Sequence, residues 1–413
     1  MSAIPTIGRR GALGLAGAAA MTGKARADNP AEVKIAMLVP LSGPWARSGK
    51  LEQMGARMAI DDINAAGGIK SMGGAKMKLL EFDAGDSAEK AKDAAQRMVA
   101  QEPDLAGGFG AWLSTFTLAL TEVTERAELP WLTLSYSDLI TNRDFKYVFQ
   151  SSPTADAQAE EIVPIIMDLS MAARGRKPKR VGLVGDNSAS STSFYKPIRD
   201  HIAEAQGLRI VVDQIFAPPL ADATTIVQKI RSNLPDFALL QSTNAGDDKL
   251  LVDKFFEFGL TAQKMPLIGG GGHWCSPELV AMTGADNLEG LLVGLANWPG
   301  KKAQDVEKRF MERTKEPWFG HDSIFGYAHV WTLKTAIEIA GTAQRQKVGE
   351  ALHTMNVTDG PLADLFPDGR VSYDEKGRRR GAKLCIVQYR SGRPVPVYPA
   401  AIALSAATWP KPR

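Results

Sequence analysis

The stretch Val33–Ile69 constrains the fold more than any other part of the chain. It reads VKIAMLVPLSGPWARSGKLEQMGARMAIDDINAAGGI. An apolar run, Val33–Val39, ends in the turn Pro40-Leu41-Ser42-Gly43-Pro44. Leu51, Met54, Gly55, Met58, Ala59 and Ile63 then recur at helical spacing, with Asp61 and Asp62 on another face. Asn64-Ala65-Ala66-Gly67-Gly68 supplies glycine where a left-handed cap closes a helix. A strand, a loop and a helix in this order open an α/β fold. In open α/β sheets ligands sit outside the carboxyl ends of the strands, which places the Ser42–Gly49 loop at such a crevice.

The same grammar continues. Strands are expected at Met77–Asp83, Asp104–Phe109, Pro130–Ser135 and Tyr147–Ser151, with helices at about Ser87–Ala100 and Ser114–Ala127. Ser152-Pro153 reads as a crossover to a second region. There strands are expected at Arg180–Gly185, Leu208–Phe216, Asp236–Gln241, Met265–Ile268 and Leu288–Leu295. Helices are expected at Phe194–Ala205, Thr224–Asn233 and Asp247–Phe258. Ala303–Met355 is mostly helical, and Lys383–Tyr389 reads as a final strand. Such alternation implies mainly parallel sheets with right-handed crossovers. At 413 residues the chain exceeds one compact core, so two lobes are expected.

Arg9-Arg10, a short apolar run Gly11–Met21 and Ala25-Arg26-Ala27 form a secretory leader over residues 1–27, with paired arginines that suit the twin-arginine route. Its removal takes four basic residues and no acid, so the formal charge falls from +3 to −1. A near-neutral surface gives no case for nucleic acid. The expected product is a soluble periplasmic monomer. Cys275 and Cys385 could pair in an oxidising compartment if the fold brings them together.

No G-x-S-x-G elbow, P-loop, H-E-x-x-H or C-x-x-C is present, so no enzyme chemistry is expected. Gly107-Gly108-Phe109-Gly110 lacks dinucleotide spacing, and His273 with Cys275 falls short of a metal site, so neither cofactor nor metal is expected. What accumulates after the strands is hydroxyls and glycines: Ser42, Ser114, Ser135, Ser137, Ser242 and Thr243. Trp45, Trp112, Tyr136, Tyr195 and Trp274 flank the same loops. Open backbone amides with apolar rings suit a small molecule with a carboxylate and an apolar body.

Pro40–Pro44, Gly49, Gly55 and Asp62–Ile69 closely resemble the opening of periplasmic binding proteins of the leucine/isoleucine/valine-binding type, a type I fold that feeds ABC importers. Gly369–Gly377, Ile386–Tyr389 and Tyr327–Ala340 resemble the same family's later segments. The resemblance implies two Rossmann-like lobes joined by a hinge, with ligand trapped in the cleft as they close. It implies one lobe from residues 28–156 plus 296–380 and another from 157–295 plus 381–413, and an ABC permease as partner.

It also implies site roles. Ser114 falls on the carboxylate-binding serine, Ser135 on a carbonyl that receives an ammonium, and Ser137 on a residue that uses hydroxyl and amide. Ser42, Trp45 and Tyr136 line the same side, with Trp45 in the place of a ring-packing tyrosine. Tyr195, Asn244, Gly272 and His273 complete the expected ligand set from the second lobe. The acid that amino-acid binders often carry after the strand at Met265–Ile268 is replaced by Gly269–Gly272, which is expected to leave room for a flat group. The implied ligand is an amino acid or a non-amino carboxylate such as an aromatic acid, with an amide or urea-type solute, or a receptor-coupled sensor role, as alternatives.

Overall fold

The structure, a computed structural model, describes residues 31–409; the expected leader lies outside them. Five parallel strands form the first sheet: β1 (Glu32–Val39), β2 (Lys76–Asp83), β3 (Gly107–Gly110), β4 (Trp131–Thr133) and β5 (Val148–Gln150), ordered β2-β1-β3-β4-β5. The second sheet repeats that order with β6 (Arg180–Asp186), β7 (Arg209–Phe216), β8 (Phe237–Gln241), β9 (Leu267–Gly270) and β10 (Leu292–Leu295). A two-stranded ribbon, β11 (Asn356–Val357) and β12 (Val371–Ser372), stands apart. The antiparallel β13 (Cys385–Arg390) and β14 (Arg393–Tyr398) extend the second sheet beyond β10.

Each sheet is buried on both faces, as parallel sheets require. One apolar cluster joins β1–β5 to residues between Ala296 and Tyr373. Two others cover the faces of the second sheet and include Leu384, Cys385 and Trp409. The helix Ala46–Ala65 crosses the helix His321–Ala340 at very short range. A Cβ on Gly55 would stand 1.9 Å from the Ser323 carbonyl oxygen, and one on Gly326 would stand 2.0 Å from that of Glu52.

Three expectations are corrected. Residues 154–179 carry no element in the sequence reading, yet Ala155–Arg174 is a helix. Pro164 interrupts its pattern, while the Thr154 hydroxyl accepts the Ala157 amide and starts it. The expected helix at Phe194 begins earlier, at Ala189, because Ser188 caps it through the Ser191 amide at 3.3 Å, and a π-helical turn at Ile198–Ile202 continues it. Nor is the strand near Lys383 the last: Ser391 and Gly392, at φ 49° and 73°, turn the chain back into β14.

Candidate functional site

Both sheets follow the order 2-1-3-4-5, which reverses between their first and third strands. Crevices open at such reversals. The carboxyl ends of β3 and β4 supply Trp112, Leu113, Ser114, Leu134, Ser135 and Tyr136 to one wall of a cavity. Those of β8 and β9 supply Gln241–Thr243 and Gly270–His273 to the facing wall, and His321 closes one end. The space left between the walls is about 30 Å³, far below the ~300–1,000 Å³ usual for small-molecule sites, so the walls stand nearly closed on one another.

The first wall is built under strain. Gly110, Ala111 and Trp112 follow one another at φ 120°, 68° and 55°. Left-handed conformations at non-glycine residues cost about 1–3 kcal/mol each and persist where surroundings enforce them. Here the Ala111 amide donates to the Leu38 carbonyl, and the Trp112 indole N–H donates to Asp322 Oδ1 at 2.9 Å. The result puts Ser114 at the start of the helix Ser114–Arg126. Its Oγ accepts from the amides of Tyr136 at 3.1 Å and Ser137 at 3.0 Å. With both lone pairs used, its hydroxyl hydrogen is left to donate, beside a helix N-terminus that favours negative charge.

Ser135 and Ser137 are differently employed. The Ser135 carbonyl already accepts from Gln150 Nε2 at 2.8 Å and Ser152 Oγ at 3.2 Å. Its hydroxyl donates to the Trp112 carbonyl. Ser137 Oγ lies 2.8 Å from Ser193 Oγ, a contact that spans the two walls. Trp45 also spans them, its indole N–H reaching Thr243 Oγ1 at 3.4 Å. Tyr136 hydroxyl meets His321 Nε2 at 2.7 Å, and His321 Nδ1 lies 2.8 Å from Asp322 Oδ1.

On the second wall, His273 Nδ1 lies 2.6 Å from Asp248 Oδ2, while Ser242 donates to the other oxygen of that carboxylate. Burial opposes a charge on His273, but Asp248 outweighs it and holds the imidazole above its ordinary pKa. Thr243 donates to Asp186 Oδ2.

Ser137 and Trp45, though they touch both walls, do not line this cavity, and the remaining expected residues fall outside it as well. Tyr195 is in the core, its hydroxyl donating to the carbonyls of Val184 at 2.7 Å and Leu239 at 2.8 Å, so it ties β6 to β8. Asn244 caps the helix Ala245–Glu257 through the Asp247 amide. Ser42 is exposed and hydrogen-bonds Asp83 at the end of β2. The glycine run leaves no void: Cβ atoms at Gly269, Gly270 and Gly272 would collide with Trp274, Gln241 and the His321–Asp322 pair. Protein side chains already fill the space that the glycines make. Cys275 and Cys385 are both buried and free.

Sequence reasoning missed His321, Asp322, Gln241 and Asp248. Asp322 meets Trp112 across 210 positions of sequence, and the only local sign is a polar trio, His321-Asp322-Ser323, opening an otherwise apolar helix.

Residues 32–394 match the sequence model of the periplasmic binding protein family. The Leu/Ile/Val-binding protein homolog 8 of Brucella abortus is 26% identical over 392 residues, 92% of this chain and 94% of its own. LivJ of Streptococcus pneumoniae, a branched-chain amino acid transporter substrate-binding protein solved with isoleucine, superposes with a TM-score of 0.74 at 19% identity, covering 88% of this chain and 99% of its own. A solute-binding protein of Rhodopseudomonas palustris, solved with 3,4-dihydroxybenzoic acid, superposes with a TM-score of 0.71 at 19% identity, over 87% and 93% of the two chains.

Proposed function

The chain belongs to the periplasmic binding protein family, whose members bind solutes without transforming them, and from that premise we propose that it captures a small carboxylate for an ABC importer of the branched-chain amino acid type. The observation that carries this reading is Ser114, whose Oγ accepts two amides and so has only a donor left to offer. A carboxylate there gains a hydroxyl donor and the first turn of a helix, a placement worth about 0.3–2 kcal/mol from the dipole alone.

The two lobes, residues 28–156 plus 296–380 and 157–295 plus 381–413, close on the solute by a hinge motion. The contacts Ser137–Ser193 and Trp45–Thr243 belong to the closed form. The protein works as a periplasmic monomer that hands its solute to a membrane permease. Relatives of this fold carry either isoleucine or a dihydroxybenzoate, so the carboxylate end is the part of the ligand assigned here. An amide-bearing solute is the second reading, favoured by the Gln241 carboxamide in the facing wall.

Titration calorimetry across amino acids, aromatic acids and amides tests this. One-to-one binding of a carboxylate is expected, weakened about tenfold or more by Ser114→Ala, the loss of one charge-assisted hydrogen bond. Unchanged affinity in that variant refutes the placement.

A further inference from the structure

The chain passes between the two sheets three times: after β5, after β10 and again before β13. Tyr136 touches the first two of these crossings and the cavity together. Its ring lines the cavity and packs on the apolar cluster of the first sheet and on one cluster of the second. Among the described residues, no other apolar side chain belongs to clusters of both sheets.

The polar groups of Tyr136 each go to a different element. Its amide donates to Ser114 Oγ at 3.1 Å, the serine assigned to the carboxylate. Its carbonyl accepts the Ala155 amide at 2.7 Å, one of the donors that a helix start leaves open, on the helix that follows the first crossing. Its hydroxyl accepts from the amide of Ala296, the residue that carries β10 into the second crossing. The same hydroxyl meets His321 Nε2 at 2.7 Å, and His321 lines the cavity beside it. A hydroxyl has one hydrogen and two lone pairs, so it serves both partners whichever atom of the Tyr136–His321 pair donates.

The geometry points to Tyr136 as a positioning residue that couples occupancy of the cavity to closure of the lobes, with its hydroxyl as the link to the second crossing. Solute seated against Ser114 fixes the turn at Ser135–Ser137, and that turn fixes where the phenol meets Ala296. Packed contacts of this kind hold discrete arrangements and pass small shifts on as larger ones. The coupling rests on the reading that solute binds between two lobes, and it assigns the path from the binding wall to the hinge.

The Ala189 amide supplies the readout. It donates to Thr115 Oγ1 at 3.3 Å, a bond from the helix Ala189–Pro197 to the helix Ser114–Arg126 across the cleft. Its hydrogen exchange in solute-saturated protein, followed by NMR, measures how often the two sides part. Tyr136→Phe keeps the ring and both backbone bonds and removes only the hydroxyl. It should raise the solute dissociation constant and the Ala189 exchange rate by the same factor, about five- to tenfold. Both quantities follow the closed-to-open ratio, so a coupling residue must move them together. Isoleucine and 3,4-dihydroxybenzoate are the probes or, if neither binds, the tightest acid of the calorimetric series. Weaker binding with unchanged exchange makes Tyr136 a solute contact and overturns the coupling. Faster exchange with unchanged affinity, or no change in either, overturns it as well; all three results leave the carboxylate reading standing. Equal factors in Tyr136→Phe with no effect of Ser114→Ala overturn the carboxylate placement and leave the coupling standing. If no acid of the series binds, both fall.

Discussion

Arg47 and Glu278 meet across the mouth of the cleft, Nε 2.6 Å from Oε1. Arg47 opens the helix that follows β1, and Glu278 opens the helix that follows β9, so the ion pair links the two walls. Glu316 holds the same guanidinium from the first wall at 2.7 Å. Arg47 is thus engaged by acids at the rim and does not reach the solute cavity. Burial would raise the Glu278 carboxyl, but Arg47 and Ser276 reverse that and hold it below its ordinary value. The pair ties the two walls together.

Glu278→Gln removes the cross-cleft charge while Glu316 keeps Arg47 paired. Partly exposed pairs contribute about 0.2–1 kcal/mol, so solute affinity should fall about 1.5- to 5-fold. The difference from the unsubstituted protein should shrink as salt rises from low ionic strength to about 0.5 M. Calorimetric titration at the two salt concentrations checks this; a difference that does not respond to salt assigns the effect to packing.

Gly272→Ala should damage the site from behind. Its Cβ would stand 2.5 Å from both Asp322 Oδ1 and His321 Nδ1, the pair that orients Trp112 and Tyr136. Overpacking of this kind costs about 1–3 kcal/mol. Urea unfolding should show that loss. Solute affinity should fall as well, because the strained turn at Ala111–Trp112 loses its anchor.

Gly326→Ala should cost more, since its Cβ would meet the Glu52 backbone oxygen at 2.0 Å and the two long helices must separate to admit it. A loss of about 3 kcal/mol or more is expected in urea unfolding, against about 1 kcal/mol gained from helix propensity. Stability equal to the unsubstituted protein would mean that the helices are not held at this spacing.

The fold was legible because its signals are local. The strand–turn–helix at Val33–Ile69 carries its own caps and periodicity, and Thr224–Asn233 was readable to the residue. Legibility failed where local and tertiary preferences part. Pro164 hides a helix that a Thr154 cap and a buried face hold together. The site divides along the same line. Ser114, Tyr136, Gly272 and His273 follow strand ends, and a strand end is a local feature. Asp322 and Asp248 act through Trp112, His321 and His273, so their part depends on which distant helices the two sheets bring together. Tyr195 shows the converse: an aromatic beside a ligand loop became a brace between β6 and β8 once its hydroxyl found two carbonyls.

Glu52 provides the clearest pH dependence. It is fully buried in the first wall's core, and neither carboxyl oxygen has a hydrogen-bond partner. His329 Nδ1 lies 3.7 Å away, but burial and then His321 push that imidazole down to about 3, so it brings no charge. Burial, reinforced by Asp322, raises the Glu52 carboxyl well above its ordinary value. Glu52 therefore keeps its proton to higher pH in the folded protein than in the unfolded chain, where it ionises above about 4.5. The folded state binds the extra proton, so this contribution is fully present below that pH and is lost as pH rises toward the folded value. The slope is at most ~1.4 kcal/mol per pH unit. Glu52→Gln keeps the shape and removes the proton, so it should be the more stable protein at pH 8 and show no advantage near pH 4.5. Urea unfolding of both proteins from pH 4.5 to 9 measures this directly; parallel pH profiles would show that Glu52 carries no proton on folding.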